Sequence, residues 1–309
     1  MRRVARVEWG ILERMAQAFI YQILTHHMTP QALDPGFLVL DNSANERPDW
    51  FEYWPIRNYL LGATLDEDAY YGFLSPKFKL KTNLSAAAAH AVVRGAAGAD
   101  VVLFSPSIQN TAYHLNVFAH GESECAGLLD ISKQLFARIG RPANLDELVS
   151  DSRNTVNSNY FAAKPRFWRE WLDITESIFT IAETAADPLG AMLRAPTTYR
   201  GRVDVPMKVF VIERIATWLL TTDTRFTAHV RDPFAARSRV YKLPLAIVCD
   251  ALKIAYATQR RSQYKEMFLM AQGLRRIFNW QIRIADFLRY RRVRSYLQTL
   301  ASYWANGEG

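Results

Sequence analysis

One apolar stretch is followed by a polar and basic run, Ser75-Pro76-Lys77-Phe78-Lys79-Leu80-Lys81-Thr82. Read as extended backbone, its three lysines point the same way, because alternate side chains of a strand share a face. Three ammonium groups on one side make a site for a diphosphate, with the Ser75 and Thr82 hydroxyls as further donors. The blander reading is a solvated basic edge that discourages strand-to-strand aggregation. A second run, from Asp41 to Trp50, crowds small polar side chains into a loop. Asp41, Asn42 and Asn45 have the chemistry to read sugar or ribose hydroxyls, and Trp50, Tyr53 and Trp54 have faces on which a ring can stack. The same loop also suits a turn, with Asn45 left-handed and Asp49 as a helix cap. The two readings are compatible.

Glu213 is the third candidate. A helix predicted over Lys208–Leu220 carries an apolar stripe of Val209, Ile212, Ala216 and Leu219, and Glu213 borders or enters it. A carboxylate there needs a partner or a purpose. It can be a general base, a nucleophile or a ligand for sugar hydroxyls, or it can pair with Arg214 or Arg57. Asn157 and Asn159 offer amides to an acceptor, or they satisfy a turn. His120-Gly121-Glu122-Ser123-Glu124-Cys125 groups an imidazole with two acids, but the spacing fits no closed zinc site, and capping of a helix explains it as well. Glycine-rich nucleotide loops, a nucleophile elbow, His-Glu-x-x-His and Cys-x-x-Cys are all absent from the sequence. That weakens dehydrogenase, NTPase, serine hydrolase and zinc-enzyme readings.

The elements that must position these residues read as an α/β layer. Strands are predicted at Phe19–Leu24 (a helix over Arg14–Thr25 being the alternative), Phe37–Leu40, Tyr70–Leu74, Asp100–Phe104 and Val156–Ala163. Helices are predicted at Trp50–Leu61, from the Ser85 cap to Arg94, at Glu122–Ile139, from Pro165 onward with Trp168, Trp171, Thr175, Ile178 and Ala182 on one face, at Lys208–Leu220 and at Pro244–Ala257. A basic helical pattern covers Lys265–Trp304. Ligands of such sheets bind beyond the carboxyl ends of the strands. This rule gathers Asp41, Ser75–Lys81 and Ser105–Asn110 on one rim.

With 309 residues, half of them hydrophobic, the chain has material for a large core. Its net charge of +8 favours an anionic partner, and much of the excess is local: Arg275, Arg276, Arg283, Arg289, Arg291, Arg292 and Arg294 share one stretch. That amphipathic stretch suits an anionic membrane surface or a nucleic acid. Two cysteines far apart, no signal-peptide core and no run of about 18 apolar residues predict a cytoplasmic protein, at most peripheral to a membrane.

The runs Leu40–Trp50, Glu52–Asn58 and Tyr71–Thr82 resemble uncharacterised bacterial proteins found with capsule and lipopolysaccharide genes. The order of parts is similar to GT-A-like polysaccharide glycosyltransferases: an early strand, a polar loop, a Tyr-x-Gly strand ending in basic residues, a late Asn-x-aromatic strand (Asn159-Tyr160-Phe161), a Trp-rich helix and a Glu-Arg helix (Glu213-Arg214). The resemblance covers about residues 19–220. It implies a GT-A-like mixed sheet flanked by helices over 1–220, with a basic helical extension over 221–309. It also implies transfer of a sugar from a nucleotide-sugar donor to a growing, lipid-linked glycan.

Together the residues and the resemblance assign Glu213 and Asp41 as catalytic carboxylates. Ser75, Lys77, Lys79 and Lys81 are placed at the donor diphosphate, with Asn42, Asn45 and Arg57 beside them. Asn159, Tyr160 and His120 are placed at the acceptor. Mg²⁺ or Mn²⁺ is a candidate cofactor. The acidic run Asp66-Glu67-Asp68 precedes the Tyr70 strand rather than following it, however, so lysines are expected to supply the positive charge. Competing expectations are a nucleic-acid-binding protein working through its arginine-rich helix, and a non-catalytic member of a polysaccharide assembly.

Overall fold

The computed structural model describes residues 17–96, 98–104, 109–199, 202–231 and 243–275. In chain order the elements are β1 (Ala18–Thr25), β2 (Leu38–Asn42), α1 (Tyr53–Gly62), β3 (Tyr70–Leu74), α2 (Phe78–Thr82), α3 (Ala86–Arg94), β4 (Val101–Leu103), α4 (Gln109–Ala112), α5 (Val117–Glu124), α6 (Leu128–Arg138), β5 (Phe161–Ala163), α7 (Pro165–Thr184), α8 (Pro188–Arg194), β6 (Pro196–Tyr199), β7 (Arg202–Pro206), α9 (Met207–Ile212), α10 (Ile215–Thr222), β8 (Ala228–Val230) and α11 (Leu243–Gln259). A further helical stretch occupies 262–275. The chain divides into a unit over residues 1–240 and a second, helical in its described part, over 241–309. No helix among the described residues is long and apolar enough to cross a membrane.

The first unit is an α/β domain built on a mixed six-stranded sheet in the order β2-β1-β3-β5-β4-β8. β1 pairs in parallel with both β2 and β3, and β4 pairs in parallel with β8. β5 is antiparallel to both its neighbours and separates β3 from β4. The uninterrupted apolar run of β3 is explained by burial on both faces. Tyr71 and Phe73 point into one core with Val101, Leu103 and Phe161, whereas Tyr70 and Leu74 point into another with Val102, Phe104 and Tyr160. Helix α3 covers the second face through Ala86, Ala89 and Val93, held at its start by the Ser85 hydroxyl, which accepts from Ala88 N. On the other face α7 buries Trp168, Trp171, Thr175, Ile178 and Ala182, and the Trp168 indole donates to the Tyr71 carbonyl at 2.9 Å. At the β3–β5 crossing Gly72 faces Ala162, and a Cβ on Gly72 would lie 3.2 Å from that methyl.

Several expectations need correction. The three lysines are not on an extended segment: Lys77 caps α2, and Lys79 and Lys81 are on it. Residues two apart on a helix lie about 200° apart, so Lys79 faces away from Lys81. Helix forms because Phe78 and Thr82, four apart, both bury their side chains. The helix expected over Glu122–Ile139 is broken between α5 and α6, where Gly127 takes a φ of 88°. Glu122 then accepts the amides of Gly127 and Leu129 at 2.9 and 2.8 Å, so it is the acid that caps α6. The strand expected over Val156–Ala163 keeps only its last three residues. The sheet also continues past residue 220: Asp100 accepts from the Thr227 amide at 2.8 Å and ties β8 to the start of β4.

The Lys208–Leu220 helix breaks at Glu213-Arg214 for a visible reason. The Arg214 guanidinium donates to the Phe210 carbonyl, the acceptor its own N–H would use in an unbroken helix. The Arg214 N–H turns to Val211 O instead, at 3.0 Å. The guanidinium also donates to Val117 O at 2.9 Å and lies against Gly121, where a Cβ would sit 2.5 Å from Nε. An alanine inside a helix ordinarily gains up to about 1 kcal/mol over glycine. Here the locked guanidinium reverses the sign, and Gly121→Ala should cost about 1–3 kcal/mol by overpacking, read as a lowered denaturation midpoint at unchanged slope.

Candidate functional site

A cavity of about 110 Å³ opens where the carboxyl end of β3 meets the start of antiparallel β5. Ser75 follows β3 directly and lines the cavity, its hydroxyl 2.7 Å from the Tyr160 hydroxyl. Gln22 of β1 fixes this corner: its amide donates to the Ser75 and Pro76 carbonyls at 3.5 and 3.4 Å, while its carbonyl accepts from Asp34 N. From α2, Lys81 reaches in to donate to Ser158 Oγ at 3.1 Å, with its ammonium 5.4 Å from the Tyr160 ring. Ser158 and Asn159 also line the cavity. Both take left-handed φ values, 56° and 52°, as the chain turns tightly into β5.

Two carboxylates also line the cavity. Glu52 precedes α1 and Glu213 ends α9. Burial pushes the Glu52 carboxyl up to about 7, and the negative charge of Glu213 adds to this; Lys81, the Ser75 hydroxyl and Lys77 pull the other way. Burial also raises Glu213, against Arg214 and Lys81. Tyr160 is raised by burial, with Glu52 and Glu213 contributing. Two acids that cannot both ionise freely thus share one small cavity with a lysine whose charge acts on both.

The Glu52 wall is clamped from behind. Phe51 has φ 51° and ψ −130°, a region that side chains other than hydrogen rarely enter. It is held there by its neighbours. Trp50 is fully buried and its indole donates to Glu183 at 2.9 Å. Lys208, 2% exposed, pairs with Asp49 and lies 3.7 Å from Glu183 and 3.8 Å from the Trp50 ring centroid. Arg47 bridges Asp49 and Glu183 at 2.9 and 2.7 Å.

Of the expected site residues, Glu213, Ser75, Lys81 and Asn159 line the cavity, with Tyr160 bonded behind them. Lys77 is near enough for its charge to act on Glu52, whereas exposed Lys79 is not among the lining residues. Asp41, Asn42 and Asn45 lie on the same rim but two strands away, at the end of edge strand β2. Asp41 is exposed and accepts from Ser43 N at 2.8 Å, and Asn45 supplies a left-handed turn with φ 47°. Arg57 is occupied elsewhere: it pairs with Glu176 of α7 and stacks 4.3 Å from the Phe179 ring centroid. His120 sits on α5 with its ring 4.9 Å from that of His114, outside the cavity lining. Asp66 caps its own turn at Asp68 N and Glu67 pairs with Arg169, on the amino side of β3. Among the described residues no cluster of three or more His, Cys, Asp or Glu is placed to hold a metal ion. Ser105–Ile108 and the arginines from Arg276 to Arg294 lie outside the described residues.

Sequence reasoning missed Glu52. Its signal was a single acid inside the aromatic run Trp50-Phe51-Glu52-Tyr53-Trp54, the same pattern of an acid among large apolar neighbours that singled out Glu213. The chain matches no family model, no curated protein and no solved structure.

Proposed function

We propose that the cavity is the reaction centre of a glycosyltransferase, with Glu52 as the base and Lys81, helped by Lys77, at the leaving diphosphate. The observation that carries this reading is the meeting of two half-buried carboxylates and a lysine in one cavity at the carboxyl end of β3. A base titrating near 7 is suited to take a proton from a hydroxyl at neutral pH. The acceptor hydroxyl gives its proton to the Glu52 carboxylate, its oxygen bonds to the anomeric carbon, and the bond from that carbon to the diphosphate oxygen breaks. The electron pair leaves with the diphosphate, whose charge is met by the lysines. Glu213, steadied by Arg214, contacts the acceptor or faces the positive charge that develops at the reacting carbon.

A cavity of about 110 Å³ is smaller than the roughly 150 Å³ that takes up benzene, so it seats part of one ring, with the remainder at its open mouth. The nucleotide then lies outside it, along the rim toward Lys77. The finer reading of the fold as GT-A-like belongs to the same proposal, and rests on the order of parts along the chain and on the mixed sheet. Work at the inner face of a membrane on a lipid-linked acceptor also belongs here. The basic sequence toward the carboxyl terminus supports it, as do the exposed Met267, Met270 and Leu274 of the second unit.

The test is thermal denaturation with a panel of nucleoside diphosphates and nucleotide sugars, each with and without Mg²⁺ or Mn²⁺. A ligand at about 100 times its Kd stabilises by roughly 2.7 kcal/mol. At least one diphosphate should do so in the wild type, and Lys81→Ala should abolish the shift. A flat panel with a protein that melts cooperatively would overturn the reading and favour binding to nucleic acid or to an assembly partner.

A further inference from the structure

Asn159 carries two costs that the fold does not repay. It is 6% exposed, and its side-chain carbonyl oxygen has no hydrogen-bond partner among the described residues. A buried acceptor left unmatched is destabilising. Its φ of 52° follows another left-handed residue, Ser158, and neither is glycine. Glycine at 159 would remove both costs. A side chain so placed, on the wall of a cavity, is set up for a partner from outside the chain. A carbonyl oxygen accepts only, so that partner brings an O–H or N–H.

The rest of the wall narrows the class. Glu52 and Glu213 are acceptors when ionised, and Lys81 is the one cation among the lining residues. A carboxylated ring would add a further carboxylate to two acids that already hinder each other's ionisation, with a single lining ammonium to offset it. Phe51, 38% exposed, also lines the space and supplies an apolar side chain at the site, of the kind the C–H face of a sugar packs on.

We propose that the cavity is a subsite for an uncharged, hydroxyl-bearing sugar ring, in which the Asn159 carbonyl accepts a hydrogen bond from the ring and the paired carboxylates exclude anionic sugars. This rests on the transferase reading and narrows its substrate class.

The experiment is saturation-transfer NMR on the full chain at pH 7.5. The probes are the methyl glycosides of glucose, galactose, mannose and N-acetylglucosamine, with methyl glucuronide as the anionic counterpart. At least one neutral glycoside should give a signal, and the glucuronide at equal concentration should be at least about fivefold weaker. Asn159→Gly should lose the neutral signal while melting at or above the wild-type temperature, because glycine suits that backbone. A purely structural asparagine predicts binding unchanged in Asn159→Gly, and that result overturns the proposal, as does an equal signal from the glucuronide. A second arm does not depend on Asn159: Glu52→Gln combined with Glu213→Gln should bring the glucuronide within about twofold of the neutral rings, and continued exclusion counts against the proposal. Silence of every glycoside in a protein that nucleoside diphosphates stabilise sinks this inference alone. Silence toward both classes sinks the transferase reading with it.

Discussion

Glu52→Gln should lower transfer by about 10²–10⁴-fold, the usual contribution of a positioned general base, while leaving the protein at least as stable as the wild type at pH 8. The two effects go in opposite directions because one carboxylate causes both. A carboxyl whose pKa is raised on folding binds its proton more tightly in the folded state. Stability is therefore greatest below the unfolded value of 4.5 and falls as pH rises toward about 7, where the folded group ionises. A shift from 4.5 to about 7 corresponds to roughly 3 kcal/mol, shared with Glu213 because the two acids act on each other. Glu52→Gln should flatten this decline between pH 5 and 8, and wild-type activity should rise with pH through the same range. Denaturation midpoints at several pH values, together with a pH–rate profile on whichever nucleotide sugar binds, would measure both. A variant that is destabilised at pH 8 and still active would assign Glu52 to the fold rather than to the reaction.

Lys208→Met is the substitution expected to damage the fold most. Methionine keeps the length of the stem and removes the charge, so the loss reports the ion cluster rather than a cavity. Breaking a fully buried pair costs about 3–5 kcal/mol because a charge is left alone. Here Arg47 still holds both Asp49 and Glu183, and these carboxylates are partly exposed, so about 2–3 kcal/mol is expected. Burial raises Asp49 and Glu183, but the hydrogen bonds from Arg47 to both, from Lys208 to Asp49 and from Trp50 to Glu183 outweigh it and hold them below the ordinary range. Depressed carboxylates contribute stability above their unfolded pKa values and lose it as pH falls through the folded ones. The cluster thus weakens in acid while the Glu52 burden grows toward neutrality, and the two place the stability maximum of the wild type in mildly acid solution. A denaturation midpoint unmoved by Lys208→Met would show that Arg47 alone closes the cluster.

Much of the sheet was legible because its signal is burial itself. Tyr70–Leu74 and Asp100–Phe104 are apolar runs too short for helices and bounded by turn residues, and both became strands buried on two faces. The Ser85 cap and the Trp168–Ala182 face were readable for equally local reasons. The lysine run was misread because Lys-x-Lys-x-Lys has the period of a strand, while the competing period, Phe78 to Thr82, spans only one turn. The break at Glu213 was hidden because it depends on the Arg214 guanidinium meeting the Val117 carbonyl, 97 positions away in the chain. Asp41 and Arg57 have side chains suited to a ligand and are used instead for a turn and an ion pair. Residue type announced the chemistry available, and only long-range pairing decided which of it faces the cavity.

Phe51, Ser158 and Asn159 are three non-glycine residues with positive φ on one small cavity. Seen from protein engineering, they are stability held in reserve. Glycine at any of the three relaxes the backbone at little cost to packing elsewhere. A selection for heat resistance that ignores activity would draw on these positions early, and the sturdier proteins it returned would have blunted their own site.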